Sequence, residues 1–346
     1  TIEKGDFKSV TYFDWMKEND HGTALKLNAF STVDPVNGST TVMGQQIAAS
    51  PYFPIAAGAP PVDLAGLAQY ALGLGKYKVD YGGVGTGVLD GTSGLPYTHV
   101  KNWGITNKTT WELSDALTLK NIFGYRKQRR DIVQDYDGIP AVLLAPYQYS
   151  RSRNVSEELQ LQAKAFDNRL DLILGGYYFD EKGIDGSLAN TLPELNIVGA
   201  GMDPRTTDAS LFVTANPGEG YSRTAAAFIA GTYKITDQIS LSGRLRYNYD
   251  KRKITVSPSQ PNYPNADGTT GRCVFDTDES TAGMQSVPLA QCAFTNSKAF
   301  REWTYDATVQ YEPSPEVTVY ASYRHGFRAG GFSTRATSAT TLAELM

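Results

Sequence analysis

Twelve consecutive residues, 239–250, sort their side chains by parity without exception. Ile239, Leu241, Gly243, Leu245, Tyr247 and Tyr249 fall on one side of an extended chain, and Ser240, Ser242, Arg244, Arg246, Asn248 and Asp250 on the other. A period of two belongs to the β-strand, so this segment is read as a strand with one oily and one wet face. The pattern recurs. Trp303, Tyr305, Ala307, Val309 and Tyr311 oppose Thr304, Asp306, Thr308 and Gln310. Val155, Leu159, Leu161 and Ala163 oppose Ser156, Glu158, Gln160, Gln162 and Lys164, with Glu157 as the exception. Between Leu117 and Gln128, Asn121 and Ile122 are exchanged between faces, for which the sequence alone supplies no reason.

Extending this reading predicts a lone strand at about 8–18 and four hairpins. The first is 101–113 with 116–130, turning at Ser114 and Asp115. The second is 154–165 with 170–181, turning at Asp167 and Asn168. The third is 221–235 with 239–251, turning at 236–238, and the fourth is 298–311 with 317–332, turning at Pro313 and Pro315. Proline in the turn sacrifices no ladder hydrogen bond. The other connections, 21–100, 131–153, 182–220 and 252–297, are long, and such loops are uncommon in compact soluble domains. The Ala-rich stretch 64–72 is expected to form a short helix inside the first of them.

Alternation alone also fits a soluble sandwich wet on one side. Length and aromatic placement argue against that. Each segment has about 10 to 14 residues, against roughly 9 to 11 needed to cross a bilayer at a tilt and about 5 to 6 in soluble strands. Trp111, Phe166, Tyr233 and Tyr311 precede the short turns. At the loop ends stand Phe123 and Tyr125, Tyr177 and Tyr178, Tyr247 and Tyr249, and Trp303 and Tyr305. Two aromatic levels are what a membrane barrel places at its two interfaces. The mean hydropathy of -0.34 does not oppose this, because alternation hides a β-barrel from hydropathy, and no run reaches the roughly 18 apolar residues of a membrane helix. The 21 Tyr, 14 Phe and 33 Gly also suit pleated structure better than helices. Nothing near Thr1 has the pattern of a signal peptide, so export is not read from the sequence directly. The expected fold is therefore all-β, an antiparallel up-and-down segment of a transmembrane β-barrel with short turns on one side and long loops on the other.

Several segments carry a family resemblance. Residues 156–162 (SEELQLQ) lead through a short turn to 172–181 (LILGGYYFDE), followed by 241–249 (LSGRLRYNY) and 319–332 (VYASYRHGFRAGGF). In this order and spacing they resemble the barrel of TonB-dependent outer-membrane receptors, in the siderophore-receptor-like branch. The resemblance covers about 101–332, and 10–27 looks like the end of an earlier strand of the same barrel. It implies a 22-stranded barrel of which this chain supplies about nine strands, an N-terminal plug and TonB box lying outside it, and later strands beyond it. The implied partners are the TonB-ExbB-ExbD energy complex acting through the plug, outer-membrane lipid, and a small-molecule ligand such as a ferric siderophore. No cofactor is implied, iron entering only as part of a transported chelate. The implied activity is energised import across the outer membrane; a passive porin-like channel and a soluble secreted binding protein are the alternatives. No nucleic-acid partner and no enzymatic activity are expected.

Candidate site residues follow from charge. Arg126, Arg244, Arg246, Arg324 and Arg328 are assigned to the wet side of the upper strands, with Arg129 and Arg130 close by, where guanidinium groups would guide an anionic chelate or pair with neighbouring carboxylates. Tyr147 and Tyr149, read as loop residues, would stack on a flat ligand or pack the loop. His21, His99 and His325 are isolated, so no metal site is expected. The glycine cluster 82–87 does not follow GxGxxG, and Asp135 and Asp137 before Gly138 lack the rest of a calcium loop. Cys273 and Cys292 share one polar stretch and are expected to form a disulfide closing it, with two unpaired thiols as the alternative.

Overall fold

The computed structural model describes residues 1–20, 96–134, 146–189, 213–265, 267–275, 288–337 and 342. The Ala-rich stretch, the glycine cluster and the Asp135 to Gly138 motif lie outside them. The described strands are β1 (Ile2–Lys4), β2 (Phe7–Asp20), β3 (Tyr97–Ser114), β4 (Leu117–Val133), β5 (Tyr147–Ala165) and β6 (Leu170–Ala189). They continue as β7 (Thr214–Lys234), β8 (Ile239–Val256), β9 (Ser259–Pro264), β10 (Thr270–Cys273), β11 (Phe294–Ser314) and β12 (Val317–His325). All pair antiparallel in one sheet ordered β1-β2-β3-β4-β5-β6-β7-β8-β11-β12, while β9 and β10 form a side hairpin. The sheet is open, with β1 and β12 at its edges. Nine of its strands are long, as the alternation indicates.

Several boundaries differ from expectation. The lone strand is half of a hairpin, because Ile2–Lys4 folds back on Phe7 to Ser9 through a turn in which Gly5 has φ 54°. The short turn of the first hairpin is Asp115 and Ala116, one residue later than read. The long strands β2 to β8 and β11 also run two to eight residues further toward the loops at their upper ends, so the connections are shorter than the sequence suggests. Above the oily band both faces are wet; alternation lapses while the backbone ladder continues. β12 goes the other way. It leaves the sheet after His325 rather than at 332, at a glycine-rich run (Gly326, Gly330, Gly331) with little propensity to stay extended.

Register carries one oily row across the sheet. Phe7, Trp111, Leu119, Leu161, Leu174, Ile229, Leu245 and Tyr305 are successive cross-strand partners. The two aromatic levels lie on this face. Trp111 and Trp103 are eight residues apart on β3, which at about 3.3 Å per residue and about 40° of tilt is about 20 Å along a membrane normal. The upper level is locally packed, with Trp103 against Tyr125 at 5.3 Å and Tyr247 against Trp303 at 5.0 Å between ring centroids. Phe166 belongs to the β5–β6 turn, where Phe166, Asp167 and Asn168 all have positive φ.

The oily face is interrupted at one place, where polar groups satisfy one another. Asn107 donates to Ser9 and Thr11 and accepts from Thr109. On the next strands Asn121 donates to Glu157, so the two residues that break the alternation in β4 and β5 are each other's partners.

The buried apolar core sits at the loop end of the wet face. Ile254 and Val256 pack with the Cys273–Cys292 disulfide, Phe275, Ala336 and Leu342. Phe275 stacks on Phe294 at 3.8 Å, and a short 3-10 turn, Leu289–Gln291, precedes the second cysteine.

Candidate functional site

Beyond β12 the chain turns back across the wet face instead of following the sheet edge. Thr334 Oγ1 donates to Asp185 of β6 at 3.0 Å, and Arg335 Nε donates to the same carboxylate at 3.2 Å. Gly218 of β7 lies directly beneath: a Cβ there would stand 2.0 Å from the Thr334 carbonyl oxygen, so only glycine lets the strap 326–337 pass. Ala336 then plugs into the disulfide core.

Between this strap and the upper ends of β5 to β8 lies a cavity of about 820 Å³. Its polar lining includes Ser152, Glu181, Asp185, Arg252 and Arg328, and Phe332 supplies an apolar wall. Arg252 is held by Ser222 and, at 3.2 Å, by Asp250, while its Nε is buried without a partner. An unpaired donor beside two carboxylates and a second guanidinium suits a ligand with oxygen acceptors.

The six arginines chosen from the sequence all lie on the wet side, but they are employed differently. Arg126 makes a two-pronged ion pair with Asp14 at 2.8 and 2.9 Å. Arg244 Nε donates to Asp306 at 2.6 Å. Arg246 donates to Asn248 at 2.7 Å and stacks over Tyr177 and Phe228 at 5.4 and 5.6 Å. The far end of the Phe228 ring in turn lies over Gly175, its Cζ 2.3 Å from where a Cβ would be. Arg130 and Arg324 have no ion pair among the described residues, and Arg328 lines the cavity. The structure thus brings one of the six, Arg328, to the cavity.

Tyr147 and Tyr149 are not loop residues. β5 begins at Tyr147, and both project from the oily side's face above the aromatic level, away from the cavity. Tyr147 Oη donates to Asp131 at 2.6 Å, and Tyr149 lies over Gly186. Asp131 also receives Arg129 at 2.8 Å and Arg151. Burial pushes this carboxyl up, but the hydrogen bonds from Tyr147, Arg129 and Arg151, with the charge of Arg151, outweigh it and hold it below the usual carboxylate range. Burial raises Tyr147 and Tyr149.

Arg252, Glu181 and Asp185 were missed by sequence reasoning, since 252 and 185 fall in stretches read as loop. The continuing parity of 250, 252 and 254 was the signal that places Arg252 on the wet face. Among the described residues no cluster of acidic, His or Cys side chains is disposed to hold a metal.

Residues 54–343 match the family described as TonB dependent receptor-like, beta-barrel. The chain belongs to that family. No curated protein matches it. Among solved structures, the ferric yersiniabactin uptake receptor FyuA from Yersinia pestis is similar at 15% identity and TM-score 0.49 over 72% of this chain and 33% of its own. The siderophore receptor PiuA from Acinetobacter baumannii is 14% identical at TM-score 0.45, over 71% and 35%. The ferric-catecholate import receptor Fiu from E. coli K12 in its open form is 14% identical at TM-score 0.45, over 66% and 36%. The chain spans about a third of the length of these receptors. In barrels of this family the oily face is the side expected to meet lipid, and the wet face the side expected to line the interior.

Proposed function

We propose that this chain is wall and upper vestibule of an outer-membrane receptor that imports an anionic ferric chelate, energised through the TonB-ExbB-ExbD complex. One observation supports the ligand class: the cavity under the strap lies at the loop end of the wet face and presents Arg252 and Arg328 toward its space. Guanidinium groups match the carboxylate, catecholate or hydroxamate oxygens of an iron chelate, and the accompanying Glu181 and Asp185 would discriminate against ligands without donors. Arg126 and Arg244, already neutralised by Asp14 and Asp306, serve the wall.

The test is uptake of radio-iron chelates by iron-starved cells. Deleting the gene, removing TonB, or collapsing the proton gradient should each abolish uptake of the cognate chelate. Replacing Arg252 and Arg328 by Ala should raise the half-saturating concentration about ten-fold or more. Uptake that persists without TonB would instead describe a passive channel, and uptake indifferent to the gene would reject the reading.

A further inference from the structure

The polar patch on the oily face is not wholly served by its own hydrogen bonds. Asn107 stands four residues from Trp111 and four from Trp103, midway between the two aromatic levels. Register surrounds it with Ser9, Thr11, Thr109 and Asn121. Asn107 gives both amide hydrogens to Ser9 and Thr11, and its Oδ1 accepts from Thr109, which leaves one lone pair of that oxygen open. Asn121 gives one amide hydrogen to Glu157; its second hydrogen and its Oδ1 have no partner among the described residues.

Hydrocarbon offers neither donor nor acceptor, and a bare amide in it is costly. The long loops of the chain leave the sheet above Trp103, and would reach the patch only by laying irregular backbone in lipid, which spanning proteins do not do. The complement therefore comes from another spanning surface. Ser9, Thr11 and Thr109 suit one, because small residues let two such surfaces approach closely enough for amides and hydroxyls to bond across.

Register says which surface. The cross-strand row that holds Trp111 at the lower aromatic level reaches Tyr305 at the upper one, so rows climb from β3 toward β11. Asn121 lies one row below Asn107 on the same face and one strand further along the climb, which brings the two amides to nearly the same depth. Two identical barrels side by side in one membrane are related by a two-fold axis along its normal. An axis between β3 and β4 sets Asn121 of each copy against Asn107 of the other, the free N–H toward the open lone pair, and does so twice. We infer that the outward face of β3 and β4 is the contact between two copies of this receptor, with Asn107 and Asn121 as its reciprocal hydrogen-bonding pair. This rests on the outer-membrane reading of the chain.

The test uses the full-length gene product in native outer membranes. Ile105→Cys puts a thiol on β3 beside the axis, and Leu245→Cys puts one on the oily face of β8, away from it. Mild oxidation should link two copies through position 105 at least about ten-fold more than through 245. Native mass spectrometry of polymer-excised membrane discs should find two copies of the wild type per particle. Asn121→Leu with Glu157→Leu removes the free amide together with its carboxyl partner, and should give at least about ten-fold fewer such particles while keeping heat-modifiable migration. Wild type found as single copies, equal linkage at the two positions, or linkage at 105 to a different protein overturns the proposal, whether or not the double variant folds. A folded double variant that keeps its dimers overturns the assignment to Asn121. Wild-type protein without heat-modifiable migration overturns the membrane reading and this proposal with it.

Discussion

Arg126 of β4 reaches over β3 to Asp14 of β2, and it passes at Gly104, where a side chain would stand 3.2 Å from both its Nη2 and the Asp14 oxygen. One ion pair thus ties three strands on the interior side, and the glycine between them is its condition. Both ends are about half exposed, so the pair's coupling should be modest. A double-mutant cycle with Arg126→Ala and Asp14→Ala in vesicle-embedded barrel is expected to give about 0.5 to 1 kcal/mol by urea unfolding. Coupling near zero would show that the pair does not form.

Asn121 and Glu157 give a sharper expectation, because they lie on the oily face. Asn121→Leu leaves the carboxyl without its donor and should destabilise the barrel by about 1 to 3 kcal/mol. The double change Asn121→Leu, Glu157→Leu should recover that loss or exceed the wild type. Additive costs would mean that the two do not share a bond.

These two residues also mark how far the sequence could be read. Parity in 239–250 and 303–311 is enough to locate strands, faces and the aromatic levels, since a one-residue slip would put Arg244 and Arg246 onto the oily face. What parity could not show is why Asn121 stands where an apolar residue belongs, because its reason is Glu157, 36 positions away. The strap was illegible for the same cause: Gly218 reads as a loop glycine until Thr334 is placed on it. Arg328 reads as a wet-side arginine and lines the cavity, whereas Arg252 lies just past 251, where the oily alternation stops. Tyr147 and Tyr149 read as loop residues because Arg151 and Arg153 beside them carry no oily alternation.

Acid sensitivity should be traceable to Asp131. Its carboxyl is held below the usual range when folded, so its contribution to stability is complete above the ordinary carboxylate value, about 4, and is lost as pH falls through the folded value. Urea midpoints measured from neutral pH down to about pH 3 should fall less steeply for Asp131→Asn than for the wild type. Parallel curves would show that Asp131 titrates alike in both states.

Gly175 should tolerate no side chain while Phe228 lies on it. Gly175→Ala is expected to cost about 1 to 3 kcal/mol, and adding Phe228→Ala should return part of that loss by making room for the new methyl group. A neutral Gly175→Ala would mean that the ring rests elsewhere, and Arg246 would then lose one of its two stacking partners.

Nitroxide labels at positions 244 and 245 of the membrane-embedded receptor measure most directly whether the oily face meets hydrocarbon. The label at 245 should collide with dissolved oxygen and be shielded from a water-soluble nickel chelate, and the label at 244 should show the reverse. Equal accessibility of the two positions to both relaxants would contradict the account.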